Sequence, residues 1–271
     1  MRLVRCLALS SVLPLVAGCD LFEAVSSTLI VSGLVVGTPE LTLQGYFAVP
    51  AETAATAWVG ERASETSTDE PTPISGVPVT VTAAGRALTL KELAGQKGVY
   101  AVSSLEDAAL VYQAGATYVF DAEIEGEKHG GQGDAPPKLE AGAVTFTPAL
   151  TANTTIPAIK THQRNTSLTV TWGEQYGRYA YVSVFRADPN NPQQPELVFD
   201  TRPKSAKEVL DFVIGSPPTS VEVPPNTFDR DGVYALVLVA ANKGGPRTNT
   251  FIGSPYLVGS ATAELFAIGI P

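Results

Sequence analysis

Sulfur and imidazole are nearly absent from this chain. Its 271 residues hold two cysteines, Cys6 and Cys19, two histidines, His129 and His162, and one methionine. A hydrolytic triad needs a histidine beside its nucleophile, and both histidines fall in stretches that read as loop or linker. The nucleophile elbow Gly-x-Ser-x-Gly, a phosphate-cradling glycine loop and a helix with paired histidines are all missing. No cofactor or metal set is expected. Basic charge is also short, with 18 Lys and Arg against 27 Asp and Glu and a net charge of −9. That balance argues against nucleic acid and against a polybasic grip on anionic lipid. No run after Cys19 reaches the ~20 apolar residues of a membrane-spanning helix.

The first residues are of a different kind. Arg2 and Arg5 precede an apolar region from Leu7 to Val16, followed by the small residues Ala17 and Gly18 and then Cys19. A charged start, a ten-residue apolar region and a small-residue site are the layout of a secretory signal. Val16-Ala17-Gly18-Cys19 resembles the lipobox of bacterial lipoproteins. The resemblance implies cleavage between Gly18 and Cys19 and a diacylglycerol on the Cys19 sulfur, with acylation of the new amino terminus. Two or more acyl chains, at ~0.8 kcal/mol per buried methylene, hold a protein stably on a membrane without a span. The competing reading is an ordinary cleaved signal that leaves Cys19 a free thiol. Asp20 resembles an inner-membrane retention signal of enteric bacteria, but other groups sort differently, so inner and outer membranes both stay open. Loss of residues 1–18 removes two arginines and no acid, moving the net charge from −9 to −11. It also removes Cys6, so the mature chain has no pair for a disulfide or a zinc site.

The rest reads as all-β. A tether, 19–27, leads into a first domain at 28–147, a linker at 148–164 and a second domain at 165–271. In Val77-Pro78-Val79-Thr80-Val81-Thr82, valines alternate with polar or turn residues at the period of a half-buried strand. Many short runs of this kind, separated by glycine turns, predict an antiparallel sandwich. Ala63–Pro73 and Gly126–Pro137 are poor in apolar residues, and both are expected to be mobile loops. His129 lies in the second, beside Glu127 and Asp134, with no spacing that suits a metal site. Gln113-Ala114-Gly115-Ala116-Thr117-Tyr118 places a glycine turn ahead of a tyrosine-led strand and resembles Ig-like or transthyretin-like domains.

The second domain carries the clearer pattern. Leu168, Val170 and Trp172 share one face of a strand. Tyr234-Ala235-Leu236-Val237-Leu238-Val239-Ala240-Ala241-Asn242 is a further alternating run. These residues resemble a fibronectin type III domain, with Trp172 as its core tryptophan and Tyr234 in its penultimate strand. The resemblance implies that the Tyr234 hydroxyl bonds to backbone upstream, as a tyrosine corner. It departs from the family pattern where Asn226–Asp231 intervene before the tyrosine. A second departure is Ser205-Ala206-Lys207-Glu208, a capping box that predicts a short inserted helix near 206–214. The expected fold is two tandem antiparallel Ig-like or fibronectin type III-like β-sandwiches with that one helix.

Two readings of function come from these residues. One is a non-catalytic lipoprotein of the cell envelope, bound to the membrane through its lipid and acting as a binding or structural module that holds or spaces an envelope protein or polysaccharide partner. Its candidate ligand residues are the aromatic group Tyr176, Tyr179, Tyr181 and Phe185, the last three on one strand face. The other is an envelope hydrolase acting on cell-wall or exported polymer through carboxylates assembled by the fold. Asp229-Arg230-Asp231-Gly232 lacks the further ligands of a calcium loop and reads as the turn before Tyr234.

Overall fold

A computed structural model describes residues 28–64, 67, 69–140, 142–202, 218–248, 250–251 and 253–270. The signal segment, Cys19 with its tether, and the expected helix at 206–214 lie outside the described residues. Among those described, the protein is all-β, with two single-turn 3-10 segments at Glu174–Tyr176 and Pro225–Phe228 and no α-helix.

The first part of the chain forms β1 (Leu29–Thr38), β2 (Leu41–Leu43), β3 (Phe47–Val49), β4 (Glu52–Glu61), β5 (Thr72–Pro73), β6 (Val79–Ala83), β7 (Arg86–Glu92), β8 (Val99–Ser103), β9 (Thr117–Ile124) and β10 (Glu127–Asp134). After these come β11 (Val144–Thr147), β12 (Thr151–Ala152), β13 (Lys160–Thr161), β14 (Leu168–Trp172), β15 (Tyr179–Arg186), β16 (Glu196–Asp200) and β17 (Ser220–Val223). The chain closes with two long strands, β18 (Gly232–Thr248) and β19 (Tyr256–Ile268).

The β18–β19 hairpin organises the whole molecule. Its base, from Tyr234 to Ala241 on β18, pairs with β15 on one side and β19 on the other. Its tip reaches the strands of the N-terminal part: Gly245, Pro246 and Thr248 pair with β10, and Tyr256–Ser260 run parallel to β1. The neighbour order β19-β1-β4-β8-β7-β6-β9-β10-β18 then returns to β19, a closed ring of strands. Closure removes free edges that would otherwise pair with other chains. The strand pairings therefore cross from 28–147 into 165–271, and the last residues of the chain complete the core of the first.

Three large apolar clusters follow from this arrangement. Inside the ring, Val31, Val35, Val79, Val81, Tyr100, Tyr118, Phe120 and Val258 pack together. Around the hairpin base, Trp172, Val182, Val184, Leu236, Leu238 and Phe266 fill the space between the main sheet and the β11-β14-β17 sheet. On the opposite face of β15 and β18, Tyr181, Phe185, Val237 and Val239 pack with Leu41, Phe47 and Val49 of the β2–β3 hairpin. Both faces of β18 are thus buried, which explains its nearly continuous apolar run.

Two tyrosines brace the turns that lead into strands. Tyr234 Oη donates to the Arg230 carbonyl at 2.8 Å. Tyr118 Oη donates to the Val111 carbonyl at 2.7 Å and accepts from the Gln113 amide at 2.9 Å. Each buried hydroxyl therefore satisfies itself and ties down a loop.

Gly126–Pro137 departs from expectation. It is no solvated loop, because Glu127–Asp134 form β10, paired with β9 on one side and with β18 on the other. Composition misleads here because the glycines serve close approach. A Cβ on Gly130 would strike the Phe120 carbonyl, and one on Gly131 the Tyr256 ring. The ladder supplies through hydrogen bonds what the segment lacks in apolar surface.

The segment 148–164 holds β12 and β13, the latter parallel to the end of β19. Asn153 organises it: its Nδ2 donates to Thr161 Oγ1 (3.0 Å) and to the Ile270 carbonyl (2.9 Å), and its Oδ1 accepts from the Thr155 and Ile156 amides.

His162 is buried edge-on against Phe228 at 4.8 Å and Phe266 at 5.9 Å, and its Nε2 donates to the Thr166 carbonyl at 2.9 Å. Burial lowers its pKa below the ordinary 6.5, against the opposing effect of the Thr166 bond. The folded state then holds fewer protons than the unfolded state just below pH 6.5, so stability falls as pH drops from 6.5 to the depressed value. Urea midpoints at pH 7.5 and 5.0 should diverge more in the wild type than in His162→Gln. Equal divergence would remove His162 as the cause.

A polar notch on the edge of β18

The candidate site arises from the way two strands share one edge. β15 pairs with β18 as far as Ala241, and β10 pairs with it from Gly245 onward. The gap between them opens as a notch of about 590 Å³, within the ~300–1,000 Å³ range of ligand sites.

Its walls come from three elements. The start of β15 supplies Tyr179, with Arg178 just before it. β18 supplies Asn242, Lys243 and Arg247, and β10 supplies Gln132 and Asp134. Gly133, Gly244, Gly245 and Pro246 line the rest and keep it free of long side chains. Gly244 is required by packing, because a Cβ there would strike the Gln132 carbonyl.

The notch gathers positive charge in an acidic protein. Arg178, Lys243 and Arg247 line it with one carboxylate, Asp134, which accepts a hydrogen bond from Thr117 Oγ1 at 2.5 Å. Arg178 also pairs with Glu174 at 3.0 Å, both side chains being more than half exposed. Exposed pairs of this kind contribute about 0–1 kcal/mol. Hydrolysis by paired carboxylates needs two facing acids, whereas the notch offers one.

The four aromatic residues singled out in the sequence are spread over different environments. Tyr181 and Phe185 are buried against the β2–β3 side of the sheet. Tyr176 is partly buried and packs on the cluster containing Trp172. Tyr179, half-buried, is the member that lines the notch. Alternation along β15 put Tyr179, Tyr181 and Phe185 on one face, and that face is covered where Tyr181 and Phe185 lie.

The cations of the notch were missed in the sequence. Lys243-Gly244-Gly245-Pro246-Arg247 reads as a turn, since glycine and proline usually end a strand. Here β18 runs straight through them to Thr248. Two cations flanking glycines at the end of a long apolar strand were the available signal.

Both histidines are buried, His129 on β10 and His162 beside Phe228. Among the described residues, no three His, Cys, Asp or Glu side chains gather as a metal site would require. The turn Asp229–Gly232 serves the tyrosine corner through the Arg230 carbonyl, and Asp231 forms an ion pair with Arg164. The chain matches no protein-family model and no curated protein.

Proposed function

We propose that this chain is a lipid-anchored, non-catalytic lipoprotein of the bacterial cell envelope that holds a partner in the notch on β18. The observation that carries the binding role is the notch itself, an open polar site lined by three cations and a tyrosine at the junction of β10, β15 and β18. Both histidines are engaged in the folded interior, which favours binding over imidazole chemistry. The anchor is proposed from Val16-Ala17-Gly18-Cys19 and the apolar segment before it, at either the inner or the outer membrane.

The architecture proposed for this module is a pair of Ig-like sandwich units, the second of the fibronectin type III kind, that share the β18–β19 hairpin. Burial of Trp172 and the bond from Tyr234 to Arg230 support the second assignment, and the Tyr118 bond to Val111 supports the first. The capping box at Ser205 supports a short helical insertion at 206–214.

The anchor has a direct test. Wild-type protein purified from membranes should have the mass of residues 19–271 plus diacylglycerol and acyl groups. Cys19→Ser should move the protein to the soluble fraction or leave the precursor uncut. A processed Cys19→Ser protein that stays on membranes like the wild type would sink the lipid reading.

A further inference from the structure

We infer that the notch on β18 takes an acidic saccharide, a sugar chain carrying carboxylate or phosphate groups. The inference rests on the binding-module reading above and narrows it to a ligand class.

Charge is the first argument. The chain carries 27 acids and 18 Lys and Arg overall, yet the notch reverses that balance, with Arg178, Lys243 and Arg247 against Asp134. An acidic surface repels anions at long range, so cations brought together from β18 and the start of β15 form a local exception. The exposed Arg178–Glu174 pair is weak enough for a multivalent anion to compete with it. Guanidinium groups also suit carboxylate and phosphate oxygens in a two-pronged geometry.

The uncharged residues select a sugar. Gln132 and Asn242 each offer amide donors and an acceptor, matching hydroxyl groups that both donate and accept. Tyr179 adds an apolar ring face with a polar tip. Gly245, where a Cβ would meet nothing within 4 Å, leaves room for a ring to approach the backbone.

Other polymers fit less well. An extended peptide adding to a sheet edge needs a longer run than the short break between Ala241 and Gly245. Nucleic acid binding relies on many phosphate contacts along a basic surface, and three cations on an acidic protein do not supply that.

The test is titration calorimetry on the purified full-length protein. The probes are an oligogalacturonate, a neutral galacto-oligosaccharide of equal length, and vesicles containing lipid A, a phosphorylated glycolipid. An acidic probe should bind, and binding should weaken as salt rises. The triple variant R178Q/K243Q/R247Q, with an unchanged melting temperature, should bind at least about tenfold more weakly. Binding of the free oligogalacturonate would point to a polymer as source, and binding of the lipid A vesicles alone, in excess of matched vesicles without lipid A that take up the acyl anchor equally, to a glycolipid headgroup. Either supports the inference. If the neutral sugar binds equally well, is indifferent to the triple variant and is lost in Tyr179→Ala, the acidic class is wrong while the binding module stands. No binding of either acidic probe overturns the inference, whatever the mass of the anchored protein shows.

Discussion

Gly244→Val should lower the stability of the protein by about 2–3 kcal/mol, the upper part of the range for overpacking. The Cβ of any residue at 244 meets the Gln132 carbonyl and the backbone of Gly133. Backbone atoms cannot rotate aside as a flexible side chain can, so the strands must separate. That contact lies where the β18–β19 hairpin joins β10 to close the ring. The expected result is a lower urea midpoint with loss of near-ultraviolet dichroism from Tyr118, Phe120 and Tyr256 in the ring core. Gly245→Ala is the internal control, because a Cβ at 245 meets nothing within 4 Å. It should leave stability within about 0.5 kcal/mol of wild type, as for ordinary surface changes. Equal losses in the two variants would mean that close approach is not what position 244 requires.

Asp200→Ala should cost about 1.5–3 kcal/mol, because it removes charge-assisted hydrogen bonds to a buried guanidinium. Arg202 Nε donates to both carboxylate oxygens of Asp200, at 2.9 and 2.7 Å, and the two side chains are only 7% and 9% exposed. Asp200 Oδ1 also accepts from Ser183 Oγ on β15 and from the Arg202 amide, both at 3.1 Å. Removing the carboxylate takes both Nε bonds from the buried guanidinium and leaves the Ser183 hydroxyl without this acceptor. Replacing both partners by apolar residues, D200L/R202M, should recover part of the loss, since both desolvated charges are then gone together. Chemical denaturation of the wild type, the two single variants and the double variant measures this. A double variant as unstable as Asp200→Ala would show that the cost comes from lost packing.

Local pattern was a good guide wherever a strand had one buried face. Leu168, Val170 and Trp172 alternate in sequence and all three are buried in one cluster. The two tyrosine-led strands were equally readable, because a buried phenol must find a partner and the turn just upstream is the nearest supply of carbonyls. β10 was not readable. His129, Gly130, Gly131 and Gly133 look like loop composition, and their role depends on β9, β18 and the Tyr256 ring arriving from distant parts of the chain. The segment 148–164 has the same character: Asn153 acts by reaching Ile270 at the far end of the sequence.

The candidate site was legible in one residue. Tyr179 stands out in an aromatic strand, but Arg178, Lys243 and Arg247 line one notch with it only because the pairing of β15 with β18 ends at Ala241 and that of β10 begins at Gly245 on the same edge. Tyr181 and Phe185 share the face of Tyr179 by period two, yet the β2–β3 hairpin folds onto that face and buries them.

The sequence by itself determined the scarcity of cysteine and histidine, the all-β class and the tyrosine-led strands. These are matters of composition and of period along a few neighbouring residues. Tertiary structure alone decided that the last hairpin completes the first core and that a glycine-rich segment is a central strand. It alone gathered three cations at one gap in an acidic protein. Those outcomes depend on which distant strands share an edge, and strand pairing across 100 residues or more leaves no periodic trace in the partners themselves.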